Sequence, residues 1–387
     1  MSNVSPTAAQ IDRTKAAIES YVHSIDQNPD RRVGAYPYYL FHEPEKPIRG
    51  TVMIFHGFSA KPHQMWRLAD YLFRNGFNVY QPSIAGHTLI HPARTWPQVD
   101  LKPEISNPLK AKIQQDPVLL RYFANLNAGS SSPNPMQQAA LIARLVTIEP
   151  RLLDIVQAIA TPDDPDFDRY FISSHQRYLT DAEARLAELA ALPGDVYTVG
   201  LSVGGAVAIG LAAAHPERVK RTVAYAPLLQ VYGADRRQYV NLAGPLDIKE
   251  MGWDANLQFP VGALTAANRF GGSIAFSPDV VRALRSISVF LVLTENEDAA
   301  DIDTTKAFFS AIGSEAEGNY CHLYPAKDLV PHPMVDPTEV SQNMSNQFWQ
   351  SLYQETFRFL TTGAVDDRNL SSLVQSSDLP AVPPVPA

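Results

Sequence analysis

Serine is a weak nucleophile unless its hydroxyl is exposed at a reacting centre and a neighbouring base takes its proton. The stretch Gly200-Leu201-Ser202-Val203-Gly204 fits G-x-S-x-G, with the apolar strand-like "DVYTV" before it and the apolar helix-like "GAVAIGLAAAHP" after it. A strand that turns directly into a helix needs glycine on both sides of the turn residue, because a side chain there would strike the neighbouring strand and helix. Such a turn holds the Ser202 hydroxyl at the carboxyl edge of a sheet. It also aims the Val203 N–H, in the first turn of the helix, at an oxyanion forming nearby. Residues 196–215 contain no Asp, Glu, Lys or Arg, and by length they approach a membrane span. Read as strand, turn and helix, the same stretch is apolar because a fold encloses it.

The elements around it repeat one beat. Residues 7–25 read as an N-terminal helix, residues 35–44 contain the first strand, and "GTVMIFHGF" is a continuous apolar run ending in a glycine turn. Helix, Gly76 stop, strand and loop follow in residues 65–88. The alternation returns before and after Ser202, in "SVFLVLTENED", and in "NYCHLYPA" followed by a final helix from about Glu339 to Leu360. Alternating strands and helices predict an α/β fold, a mostly parallel sheet with helices on both faces.

Two stretches interrupt this pattern. Residues 89–168 are far too long for a strand-to-helix loop of about 2–6 residues, and Leu141, Leu145, Ile148, Leu152, Val156 and Ile159 mark an apolar helical face within them. Pro150 is expected to open a second helix there. Residues 230–286 are rich in Gly, Trp, Tyr and Phe. The expected organisation is an N-terminal helical extension (1–34), core (35–88), helical lid (89–168), core with the serine turn (169–229), second cap insertion (230–286), core with acid and histidine (287–362), and a Pro-rich tail (363–387) without fixed structure.

The chain resembles the α/β-hydrolase superfamily, and within it the serine-hydrolase branch of monoacylglycerol lipases, carboxylesterases and serine-aminopeptidase-like enzymes. The resemblance rests on three motifs and their order over residues 35–88 and 170–360: the Ser202 turn, "FHGFSA" and "PSIAGHT". It implies that Phe58, after the His56-Gly57 pair, supplies the second oxyanion N–H, that His56 orients this loop, and that Gly86 and His87 are structural. It also implies the chain order serine, acid, histidine. The family's spacing favours Asp298 as the acid, with Glu295, Glu297 and Asp301 as alternatives in the same loop and Asp235 as a distant one. Downstream lie only His322 and His332. His322 sits inside a strand, whereas His332 sits in a loop between Pro331 and Pro333, exposed toward a sheet edge and pinned by turns. His332 is therefore the expected base.

Ester hydrolysis through an acyl-serine intermediate is what the resemblance implies, with a small hydrophobic ester as substrate. Trp96, Tyr122, Phe123 and Trp253 in the insertions suit an apolar group. The same triad serves a thioesterase or an amidase/peptidase, and a non-catalytic ligand-binding protein on this fold is the alternative of a different class.

Bulk properties narrow the field further. A net charge of -8 across 387 residues, without a basic run, argues against nucleic acid as a partner. One cysteine, Cys321, excludes an internal disulfide framework, and no His/Cys or carboxylate spacing implies a metal or another cofactor. The N-terminal residues carry charges throughout and do not read as a secretory signal or transmembrane segment, so a cytoplasmic protein is expected.

Overall fold

The computed structural model describes residues 3–121, 135–161, 164–244, 249–251, 257–313 and 318–385. The apolar runs form the strands of one seven-stranded sheet: β1 (Tyr38–Leu40), β2 (Thr51–Phe55), β3 (Asn78–Gln81), β4 (Val196–Leu201), β5 (Val219–Tyr225), β6 (Ser288–Thr294) and β7 (Tyr320–Tyr324). Their spatial order is β1-β3-β2-β4-β5-β6-β7; only β1 runs antiparallel, against β3. Every residue of β2 and β4 is buried. Strands covered on both faces lose the polar alternation of a half-exposed sheet, which is why these segments read as unbroken apolar runs.

Helices cover both faces. On one side α1 (Ala8–Asp26), α3 (Val203–Ala214) and the helix Val261–Ala275 share a core with Met53, Val196 and Leu291. On the other, α2 (Trp66–Arg74) and α4 (Trp349–Thr362) pack with Val52, Val199 and Val292. Much of residues 230–286 thus belongs to a covering layer of the sheet rather than to a cap alone. The helices of the first insertion hold a cluster of their own around Ile105, Leu109, Leu145, Leu152 and Ile155. Helices Pro135–Ile148 and Leu152–Ala160 are separate, with Pro150 between them.

Two expectations give way. The final helix begins at Trp349 rather than near Glu339, because Gln342 and Asn343 occupy left-handed backbone (φ 50° and 62°) and the Asn346 side chain bonds Met334 O and Phe348 N. The tail is also ordered through residue 385. Pro380 O accepts from the Tyr71 hydroxyl at 2.8 Å, Ser376 O accepts from Gln354 Nε2 at 3.0 Å, and Leu370 and Val382 are buried. Hydrogen bonds and two apolar anchors secure it, and neither produces a hydrophobic period.

Among the described residues no helix is long and apolar enough to cross a membrane. The helical half of the charge-free stretch is α3, 12 residues long and almost wholly buried.

Placing a charge at one tail anchor tests the docking. Val382→Asp should lower stability by roughly 1–3 kcal/mol, seen as a lower urea midpoint. A tail without a fixed position would leave the midpoint unchanged.

Candidate active site

Ser202 stands between β4 and α3 at φ 57°, ψ -121°, a conformation that side-chain-bearing residues seldom adopt. The surroundings hold it there. Its N–H donates to Tyr225 O at 2.9 Å, and its carbonyl accepts from Ala206 and Leu228 at 3.1 and 2.9 Å. The flanking glycines are required by space. A Cβ at Gly200 would lie 2.0 Å from Gly204 O, and one at Gly204 would lie 2.3 Å from Phe55 O. The first turn of α3 therefore touches the ends of β2 and β4 backbone to backbone. Val203 opens α3, so its N–H has no acceptor within the helix.

The loop after β2 passes beside this turn, and a Cβ at Gly57 would be 3.6 Å from Ser202 Cβ. His56 is buried, and burial pushes its pKa down to about 3, so the ring is neutral. The Ile84 N–H donates to Nε2 at 3.2 Å, leaving Nδ1 to carry the proton and donate to Gly57 O at 2.9 Å. A trans peptide points its C=O and N–H in opposite directions. Anchoring Gly57 O thus fixes the direction of the Phe58 N–H, which meets no acceptor among the described residues. Arg32 ties down the next turn, donating to Ser59 O at 2.7 Å and Ala60 O at 3.0 Å.

The loops after β6 and β7 meet on the same sheet edge. The Thr294 hydroxyl donates to Val330 O at 2.5 Å, and Asn296 bridges Pro331. This pairing brings His332 against the β6 loop, where its partner is Glu297, not Asp298. Glu297 Oε1 lies 2.6 Å from His332 Nδ1, in a short bent contact whose ring N–H does not point straight at the oxygen. The same oxygen accepts from the N–H groups of Ala299 and Ala300, each at 2.9 Å, and of Asp298 at 3.2 Å. Asp298 turns outward, where Gln342 donates to its carboxylate at 2.7 Å.

The other candidates are occupied elsewhere. Glu295 accepts from Ala326 N, Asp301 caps the helix Ile302–Ile312 and pairs with Arg237, and Asp235 is exposed. His322 stays in β7 and faces Asp367 of the tail at 3.4 Å. The carboxylate position was beyond sequence spacing because the β6 loop folds back on itself, directing successive side chains oppositely.

Electrostatics reinforces the Glu297–His332 pair. Burial, the largest influence on His332, lowers its pKa, but the Glu297 carboxylate, aided by Asp298 and Glu339, outweighs it and raises the imidazole above its ordinary value. Burial likewise works to raise Glu297, yet His332 and the backbone N–H groups hold it below the usual carboxylate range.

Over the Phe58 side lies an aromatic cluster from both insertions. Phe58 meets Phe259 at 4.9 Å and Trp96 at 5.2 Å edge-on, and His87 stacks on Trp96 at 3.6 Å between centroids. His87 is buried with Nδ1 on Ala85 O, a structural placement. Tyr122, Phe123 and Trp253 lie outside the described residues. Among the described residues no three His, Cys, Asp or Glu side chains gather as a metal site requires.

A structure of one of the metagenome-derived lipolytic enzymes LipS and LipT is similar over 85% of this chain and 98% of that one, at 16% identity and a TM-score of 0.50. The fold is that of the α/β-hydrolases. A soluble variant of monoglyceride lipase from Saccharomyces cerevisiae is similar at a lower level (12% identity, 88% and 98% covered, TM-score 0.48). So is a monoacylglycerol lipase from Paleococcus ferrophilus (11%, 85% and 99%, 0.47). No family model and no curated protein sequence matches the chain.

The charge balance at His332 has a direct readout. Glu297→Gln removes the anion and leaves burial in command, so the His332 pKa should fall below the ordinary imidazole value in an NMR titration. Asp298→Asn should shift it far less. Equal shifts for both variants would contradict the pairing.

Proposed function

We propose that this α/β-hydrolase is a serine esterase that cleaves carboxylic esters with a hydrophobic acyl or alcohol group through an acyl-serine intermediate. The observation that carries this reading is the strained Ser202 turn beside two N–H groups without acceptors among the described residues, with a buried carboxylate paired to a largely buried imidazole on the same sheet edge. A solved structure that shares its fold over 85% of its length at a TM-score of 0.50 is that of a lipolytic enzyme.

In this reading His332 Nε2 takes the Ser202 proton as Oγ attacks the ester carbonyl. Glu297 holds Nδ1 and stabilises the imidazolium, which places the acid one residue before the position that spacing favours. The tetrahedral oxygen binds the N–H groups of Phe58 and Val203, two donors fixed by different elements before the substrate arrives. The imidazolium then gives its proton to the departing alkoxide. Water repeats the sequence on the acyl-enzyme, releasing the acid and restoring Ser202.

Hydrophobic preference is read from the aromatic cluster beside the oxyanion donor, in which buried Trp96 and Phe259 back the partly exposed Phe58. An apolar chain laid against it would lose its hydration without displacing bound polar groups, worth about 0.8 kcal/mol per buried methylene.

A fluorophosphonate probe should label Ser202, and Ser202→Ala should abolish both labelling and hydrolysis of p-nitrophenyl esters. Glu297→Gln should lower kcat by about 10²- to 10⁴-fold, whereas Asp298→Asn, at a half-buried carboxylate turned to Gln342, should stay within about threefold. Wild-type turnover by Ser202→Ala would sink the serine reading. A larger loss for Asp298→Asn than for Glu297→Gln would sink the acid assignment. Matched ester, thioester and amide substrates measure the bond preference, and an ester should turn over fastest.

A further inference from the structure

A chain of hydrogen bonds leads away from the oxyanion loop and ends on a carboxyl group next to the histidine loop. The Gly57 N–H donates to Gln64 Oε1 at 2.8 Å, and Gln64 Nε2 donates to Glu339 Oε2 at 3.1 Å. The Gly57 amide can only donate, so it fixes the orientation of the Gln64 side chain and leaves its NH₂ facing Glu339. Every donor therefore points the same way, toward the carboxyl. One helical turn beyond Gln64, Arg67 pairs with Asp336 at 3.2 Å, and Asp336 in turn accepts from Thr338 N. The segment opening α2 thus grips the loop 336–339, which is continuous with His332, at two points.

We propose that Gln64 is a positioning residue that couples the Gly57–Phe58 loop to the histidine loop, and that Glu339 is the ionisable end of this coupling, promoting acyl transfer at Ser202 as an anion. The proposal rests on the serine-hydrolase reading above. Gln64 sets the peptide before Gly57 while His56 sets the one after it, so Gly57, and with it the Phe58 donor, is located from both sides. Glu339, in its charged form, favours the imidazolium that His332 becomes in the transition state.

Glu339 is placed to change charge in a useful range. Burial raises its pKa, the Gln64 bond and His332 lower it, Asp336 raises it, and the outcome is about 8. The groups facing it are His332 and Asp336 from its own loop, Gln64 and Arg67 from the segment beginning α2, and Tyr353 from α4, with Glu297 behind His332. The sign follows. Above its pKa Glu339 is an anion and stabilises the imidazolium in the transition state, so activity gains as pH rises. Below its pKa Glu339 is neutral, so near pH 6 it leaves the basicity of His332 to Glu297.

Glu339→Gln should therefore diverge from the wild type in kcat/KM as pH rises through about 8. It should match the wild type near pH 6 and fall roughly threefold to tenfold below it near pH 9.5, the scale of one neighbouring charge in partly exposed protein. A merely structural defect would lower the profile at every pH. Gln64→Leu keeps the bulk and removes both bonds; it should lower kcat about tenfold across the range with KM little changed. The phosphonylation rate of Ser202 by a small alkyl fluorophosphonate gives the same readout without a chosen substrate. Parallel profiles for Glu339→Gln and wild type, or an unaltered kcat in Gln64→Leu, would overturn the coupling while leaving the serine reading intact. Wild-type protein that no probe labels at Ser202 would overturn both.

Discussion

The first turn of α3 presses on the ends of β2 and β4 with no room for a Cβ at residue 200 or 204, and most of the site follows from that contact. Because Gly204 touches the carbonyls of Phe55 and His56, the helix start and the loop after β2 are fixed relative to each other. Two N–H groups from different elements, Val203 and Phe58, thereby flank one serine at positions set by backbone contact. Rearranging either would require moving a buried strand. In a reaction whose charge develops on one oxygen, donors that need no reorganisation are worth more than donors that must turn to meet it.

This close contact supplies position but not direction, and direction comes from three neutral or paired side chains. His56 can anchor Gly57 O only in the tautomer with the proton on Nδ1, and the Ile84 N–H enforces that tautomer by occupying Nε2. Burial keeps the ring neutral, so no charge competes with the serine centre. Arg32, by contrast, brings a charge, but it spends its donors on the Ser59 and Ala60 carbonyls of the next turn. Gln64 completes the set from the opposite side. A loop that looks like irregular connection is in this way determined peptide by peptide.

Residue order and type disclosed the parts governed by short-range rules. The Gly200–Gly204 pattern, the buried parallel strands and the Pro331-His332-Pro333 loop are visible because each has a local cause: a steric limit, enclosure on both faces, a fixed φ. The parts set by distant partners were not visible. Four carboxylates within seven residues are equivalent as text. Only the fold-back after Thr294, held by its bond to Val330 O, turns Glu297 inward and leaves Asp298 with Gln342. The tail shows no period because Tyr71 and Gln354, far upstream, hold its carbonyls. The helical start near Glu339 was misplaced for a related reason, since Asn343 in left-handed backbone and Asn346 bonding Met334 O stop a helix that the apolar spacing alone would extend.

The Glu297–His332 pair shows why such a carboxylate must be so deeply held. An imidazole enclosed by protein loses its hydration as a cation, and that loss alone would make it a poor acceptor of the serine proton. A nearby anion restores basicity, but an anion that is itself buried tends to take up a proton and become useless. The Ala299 and Ala300 N–H groups, converging on the oxygen that faces His332, resolve this by keeping Glu297 charged within the enclosure. Half-buried Asp298 turns to Gln342 instead and acts on the ring's charge only from a distance. A longer side chain one residue earlier reaches the sheltered position that Asp298, turned to Gln342, does not.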